Sequence, residues 1–407
     1  MLDTARGEHK GLYYSLKKLD HIRISGYMQP QYQVASERGV DNYSGGDFPT
    51  HTNNRFMLRR GRIRFDYAGF TESHKPSVQF VFQFDGTERG VAIRDFWGRV
   101  YENKFELFSF TAGMFARPFG YEVNLSSGDR ESPERGRASQ ILMRTERDLG
   151  AMVSLESRQS PKGLLRYLKW DAGFFNGQGL TSPNDFDSYK DFITRLSLKP
   201  VPLSKNLSLS AGLSFLQGGF YQNSKYIYSS GNVGGQPVFV IDSSLSNVGE
   251  KAPRQYRGAD AQLKWKNNWG YTELRAEYWW GTQTGTAETT ETPPTLLNEP
   301  HYIRNFDAAF ICFLQNIINE HHQIGVKYDW YDPNTNASGS QIGKVGTNLT
   351  PADIKYSTLG VGYIYYINHN LKLVLWYDMI KNESTALPGY TSDLDDNIFT
   401  CRLQFKF

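Results

Sequence analysis

Residues 55–70 read RFMLRRGRIRFDYAGF, and the fold follows from how this run divides by parity. Even positions from 60 are Arg60, Arg62, Arg64 and Asp66; odd positions from 57 are Met57, Arg59, Gly61, Ile63, Phe65 and Tyr67. A β-strand sends successive side chains to opposite faces. The run therefore sets a column of guanidiniums on one side and a mostly apolar face on the other. Stacked arginines suit neither a soluble core nor a lipid surface. Water on one side and hydrocarbon on the other suits both faces.

The same division recurs outward from this run. In GAMVSLESR, Ala151, Val153 and Leu155 oppose Ser154, Glu156 and Arg158. In YKDFITRLSLK, Phe192, Leu196 and Leu198 oppose Asp191, Arg195, Ser197 and Lys199. In YRGADAQLKWK, Ala259, Ala261, Leu263 and Trp265 oppose Asp260, Gln262, Lys264 and Lys266. HHQIGVKYDWY and the terminal CRLQFKF alternate in the same way. About sixteen such segments follow one another from residue 21, and no helix-period stretch separates them.

Connections alternate in length. TESHKP near 71–76, DGTERG near 85–90 and the turn at 368–370 are tight, whereas 39–54, 118–145, 217–254, 281–301, 333–351 and 383–396 are long and polar. Short turns at one end and long loops at the other describe an all-β transmembrane antiparallel β-barrel of about sixteen strands. Residues 1–20 are expected to be a short leader, with 21–407 forming one barrel domain. The opening MLDTARGEHKG does not read as a signal peptide, so an exported chain would be a mature form.

Composition agrees with this reading. Among 407 residues there are 25 Tyr, 26 Phe and 38 Gly, and mean hydropathy is −0.53. Strands that hide apolar residues at every second position give such a low average. Net charge is only +3, so any anion preference must come from local placement. Trp97, Trp269, Trp279, Trp280, Trp330 and Tyr331 lie near predicted strand ends, where interfacial aromatic girdles form, with the lumen or the loops the expected place for roughly half of them. Cys312 and Cys401 are far apart and fall on apolar faces, with no metal or redox spacing.

Enzymatic and metal motifs are missing from the sequence. Asp332-Pro-Asn334-Thr-Asn336 opens like a calcium loop, but Ala337 and Gly343 stand where glycine and a bidentate glutamate are needed. No G-x-S-x-G or H-E-x-x-H occurs. No cofactor and no catalytic activity are expected.

Polar strand faces must line a water-filled interior, because lipid excludes them, and sixteen strands enclose more space than side chains fill. The functional signal is basic residues on those faces, above all Arg60, Arg62 and Arg64, with Arg195, Lys199 and Lys264 on other strands. Loop 118–145 adds Arg130, Arg135, Arg137 and Arg144 among Asp129, Glu131 and Glu134. Its SPERGRASQIL segment is suited to one or two helical turns. Folded inward, this loop would narrow the lumen and set its field. The opposing expectation is a wall of arginines paired with Asp66, Asp85, Asp95 and Asp260.

The ordered motifs RRGRIRFDYAG, ARPFGYE, RDLGAMV, WDAGFFNGQG, KDFITRLSLKP, KYDWYDPNT, ADIKYSTLGVGYIYYINHNLKLVLWYD and FTCRLQFKF together resemble the phosphate-selective porin O and P family. The resemblance is to the form found in Bacteroidetes-type Gram-negative outer membranes. It implies a 16-stranded barrel, commonly a homotrimer, with an inward-folded loop and anion-favouring arginines. It also implies a terminal strand ending in Phe407 that the barrel assembly machinery reads. The expected function is thus an outer-membrane channel for small anionic solutes such as phosphate, set in outer-membrane lipid. The alternative is a plugged, non-conducting barrel serving as an anchor or subunit of a larger complex.

Overall fold

The computed structural model describes residues 21–159 and 163–407; the predicted leader at 1–20 lies outside them. In chain order the strands begin with β1 (Ile22–Ala35), β2 (Asn54–Phe70), β3 (Pro76–Thr87), β4 (Gly90–Tyr101) and β5 (Phe108–Ala116). After a short helix, α1 (Arg137–Leu142), come β6 (Arg147–Glu156), β7 (Leu168–Phe175), β8 (Asp191–Pro202) and β9 (Leu207–Tyr221). Then follow β10 (Ile227–Val233), β11 (Gln236–Asp242), β12 (Lys251–Asn267), β13 (Gly270–Gly285) and β14 (His301–Asn316). The chain ends with β15 (His322–Asp332), β16 (Tyr356–Asn368), β17 (Leu371–Asn382) and β18 (Ile398–Lys406).

Sixteen of these close into one antiparallel barrel. β9 pairs directly with β12, and β18 returns to β1 through pairs such as Tyr27↔Lys406 and Ala35↔Ile398. Closure leaves no unpaired edge, which hydrocarbon would not tolerate. The remaining two, β10 and β11, form a hairpin inside the long connection between β9 and β12 and join the wall through three parallel pairs with β14. That connection was expected to be plain loop. Tyr228 and Phe239 are drawn into a hairpin by an apolar cluster with Tyr302, Ile342 and Leu349.

Ile63, Phe80, Phe96, Leu213, Leu274, Phe313 and Phe405 are exposed on the outside, forming the apolar surface expected of a transmembrane barrel. DGTERG departs from the predicted layout. It joins β3 to β4 at the same end as the long loops, so the wall is low there. Trp97, Trp279 and Tyr331 also depart from a lipid-facing girdle. Trp97 lines an inner cavity, and Trp279 and Tyr331 are buried in an internal apolar cluster.

The opening strand contains the most consequential irregularity. Met28 pairs with Gly61 but Pro30 pairs with Leu58, so Gln29 alone faces both Arg59 and Arg60. This β-bulge resets the parity. Arg60, Arg62 and Arg64 face inward, and Met57 and Arg59, expected on the apolar face, turn inward too. Met57 Sδ accepts from Gln31 Nε2, while Phe56 is 85% exposed to the outside. A second bulge in β4, between the pairs Gln83↔Asp95 and Phe84↔Ile93, turns Arg94 inward beside Asp95.

Trp376 lies flat on the inner wall over Gly325, Gly360 and Gly362, with its Nε1 donating to Asp378 Oδ1 at 2.7 Å. A methyl group at Gly362 would run into the indole ring. Gly362→Ala should therefore lower stability by about 1–3 kcal/mol and alter tryptophan emission. Gly86→Ala, which meets only ordinary contacts, should leave both unchanged. Thermal unfolding of the purified barrel checks the pair.

Candidate functional site

The connection between β5 and β6, residues 117–146, does not stay at the rim. It folds into the lumen and crosses it. Its inner face is apolar: Phe119, Val123, Ile141, Leu142 and Met143 pack with Leu216, Tyr256, Trp279, Phe306 and Tyr331 of the wall. Phe119 meets Trp279 edge-on at 4.9 Å between ring centroids. This contact explains why β14 is apolar on both faces, with Phe310, Cys312 and Leu314 buried beneath Tyr121 of the loop. Cys312 is thus an inward, covered thiol.

Backbone groups of the loop are answered by carboxylates of the wall and of the loop itself. The N–H groups of Tyr121 and Glu122 donate to Glu277 at 2.7 and 2.9 Å. Gly136 N–H donates to Glu122, and Arg137 N–H donates to Asp329 at 3.2 Å. These carboxylates satisfy donors that the short α1 leaves free at its start. Glu122 is also paired with Lys327. Burial pushes the Glu122 carboxyl up, but Lys327 more than offsets it and holds the group below its ordinary value.

The polar rim of the loop meets the arginine strand. Glu134 takes a two-point contact from Arg60 (3.0 and 2.6 Å) and a second from Arg59 (2.9 and 3.2 Å). Arg402 of β18 adds a third arginine at 2.8 Å. Burial raises the Glu134 carboxyl, yet Arg59, Arg60 and Arg402 together hold it well below the usual carboxylate range. Arg130 lies buried close by with no ion pair among the described residues, and its Nε and Nη1 make no hydrogen bond. Burial, with Arg60 and Arg135 nearby, pulls its guanidinium down to about 9.

One turn further along, Glu146 receives Arg94 at 2.6 Å, Arg147 at 3.5 Å and Arg135 at 3.6 Å. It too is held well below its ordinary value, since these cations outweigh its burial. Arg62 pairs with Asp85 at 3.0 Å, and Arg147 with Asp95 at 3.1 Å.

The sequence-predicted basic residues thus fall into four groups. Arg60, Arg62, Arg130 and Arg135 are brought together where the loop meets β2. Arg64 lies on the inner side of that junction, bonded to Asp66 at 2.7 and 2.8 Å. Arg195 pairs with Asp260 (2.7 Å), Lys199 with Glu156 (2.9 Å), and Lys264 stands 3.6 Å from Glu273; all three belong to the opposite wall. Arg137 faces outward, its guanidinium 3.6 Å from the Tyr356 ring centre. Arg59, Arg94, Arg147 and Arg402, with the carboxylates Glu134 and Glu146, were missed as site residues. The adjacent arginines at 59 and 60, which cannot share a face in a regular strand, were the available signal for the first bulge.

The loop divides the lumen into two vestibules. An inner cavity of about 520 Å³ is lined by Arg62, Arg64, Arg99, Arg147, Lys169 and Arg195 among others. An outer one of about 880 Å³ is lined by Tyr43, Arg59, Arg137, Glu291, Tyr356 and Asp396 among others.

No family model matches this chain, and no curated protein does. Three of the solved barrels that are similar in structure illustrate the likeness. Over 97% of this chain and 96% of its own, Pseudomonas putida OprB in a high pH structure gives a TM-score of 0.60 at 9% identity. The outer membrane channel DcaP of Acinetobacter baumannii gives 0.55 at 12% identity, covering 95% and 97%. OmpT, an outer membrane protein of Vibrio cholerae in a trimer form, gives 0.52 at 12% identity, covering 95% and 99%. At these identities the likeness is one of fold.

Proposed function

We propose that this chain is an outer-membrane porin whose lumen passes small solutes by diffusion, with a bias toward anions such as phosphate. One observation carries the reading: buried positive charge is in excess where the loop meets β2 and its neighbours. Arg59, Arg60, Arg130 and Arg402 gather around Glu134. Arg62, Arg94, Arg135 and Arg147 share Asp85, Asp95 and Glu146. Guanidiniums on that side, along β18, β2, β4 and β6, outnumber carboxylates two to one, while the facing side of the junction carries the buried carboxylates Glu277, Asp329 and Asp378. Such an excess in a low-dielectric constriction raises the local concentration of anions. Arginine keeps its charge and presents a fork that matches carboxylate and phosphate oxygens. Arg64, Arg195, Lys199 and Lys264 extend the basic surface toward the turn end.

The resemblance to the phosphate-selective family supports phosphate as one such anion, and the trimer form of a structural neighbour supports a homotrimer in outer-membrane lipid. The terminal strand β18, closing on β1, is the part offered to the barrel assembly machinery.

Replacing Arg60, Arg62 and Arg64 together with glutamine tests the anion bias. It leaves Asp66 without its arginine and Asp85 with Arg94 alone, at 3.9 Å, so the reversal potential in a salt gradient should move toward cations while the barrel still folds. An unmoved reversal potential would reduce these arginines to wall braces. One observation favours the plugged alternative: the inner and outer cavities share no lining residue. A sealed barrel of that kind would carry no current at all.

A further inference from the structure

The outer vestibule holds two charges that conduction leaves unused. Asp396, in the connection between β17 and β18, lines this cavity yet is only 6% exposed. Its Oδ1 is closed off from water without a hydrogen-bond partner, and no other described residue donates to either oxygen. Buried carboxylates are ordinarily hydrogen-bonded, and this one, which beside the cavity takes only the N–H of its own backbone, calls for a further donor. Arg137 lines the same cavity from the loop across the lumen. Its guanidinium is held between two rings, 3.6 Å from the centre of Tyr356 and 4.8 Å from that of Tyr43. No described carboxylate lies within ion-pairing distance of it. The cation and the carboxylate thus face one space without bridging each other.

A simple anion would satisfy Arg137 and be repelled by Asp396; a simple cation would meet the reverse. A molecule carrying both signs a few atoms apart satisfies both groups at once. We propose that the outer vestibule binds a zwitterionic small molecule of the α-amino acid class, its carboxylate on Arg137 and its ammonium on Asp396. Tyr356 and Tyr390 of the same cavity offer apolar surface to its side chain. The volume, about 880 Å³, accommodates an amino acid or a short peptide.

The site is tested on the full-length folded barrel by calorimetric titration with three probes: L-leucine, 4-methylpentanoate (the carboxylate alone) and isoamylamine (the ammonium alone). Leucine should bind at least roughly tenfold more tightly than either half-molecule, the effect of one added ion-pair contact. Asp396→Asn should abolish the advantage over 4-methylpentanoate, and Arg137→Gln the advantage over isoamylamine. Asp396→Glu should retain part of the binding, which separates a lost contact from a lost fold. Equal affinity for the three probes, or no leucine binding at tens of millimolar, overturns the proposal. The titration reads binding rather than current, so its failure leaves the porin reading standing, and a non-conducting barrel that binds leucine would leave this one.

Discussion

Replacing Glu134 with glutamine should raise the anion preference severalfold and make the single-channel current noisier. Glu134 is the one carboxylate shared by Arg59, Arg60 and Arg402. Removing one partner from a buried ion pair costs about 3–5 kcal/mol, because the remaining charges are left uncompensated. Here three guanidiniums lose their acceptor together, so the rim of the loop loosens while that side of the junction gains one net positive charge. Both changes favour anions. Glu131→Gln is the matched control: Arg275 loses Glu131 but keeps Glu273 at 2.6 Å, and the effect should be small. Equal effects from the two variants would remove Glu134 from its place as the clamp.

Acidification should not imitate this variant at pH 4–5. Glu134 has a depressed carboxyl, so its contribution is present above the unfolded value, about 4.3. It is lost only as pH falls through the lower folded value. A current that changes character sharply near pH 4.5 would point to some other group.

Removing the loop itself should have the larger effect on conductance. If residues 121–142 are replaced by a short glycine-serine link, the crossing disappears and a sixteen-stranded lumen opens to its full width. Conductance should then rise severalfold and selectivity should fall, since Arg130, Arg135 and Glu134 leave with the loop. The barrel should also become easier to unfold. Trp279, Phe306 and Tyr331, now buried inside, would lose the apolar partners that cover them, and exposed apolar surface of this kind is costly at roughly 25 cal/mol per Å². Unchanged conductance would place the constriction among the outer loops instead.

Much of the wall was legible in the sequence because period-2 alternation is a local signal. Alternation sets Asp191 with Arg195, and Asp260 with Gln262, on one face from neighbours alone, and likewise groups Arg60, Arg62 and Arg64 in one column. The length of the β5–β6 connection also showed that something must fold there. What could not be read is pairing between distant residues. Arg60 finds Glu134, 74 positions away, only because the loop crosses the lumen.

Bulges were the second obstacle. A single extra residue in β2 turns Met57 and Arg59 to the other face, and alternation counted from one end does not register the slip. A third signal was present but unused: the run NFDAAFICFLQN of β14 is apolar on both faces. In a wall between lipid and water, that pattern requires a cover on the inside, and the loop supplies it.

The central claim is that the loop narrows the lumen without closing it and that the guanidinium excess at its rim selects anions. Single-channel recording of the purified barrel in a planar bilayer, under a potassium chloride gradient, tests this most directly. The account predicts discrete open-channel steps with a reversal potential displaced toward chloride and reduced by added phosphate. A folded barrel that passes no current, or one whose reversal potential favours potassium, would contradict it.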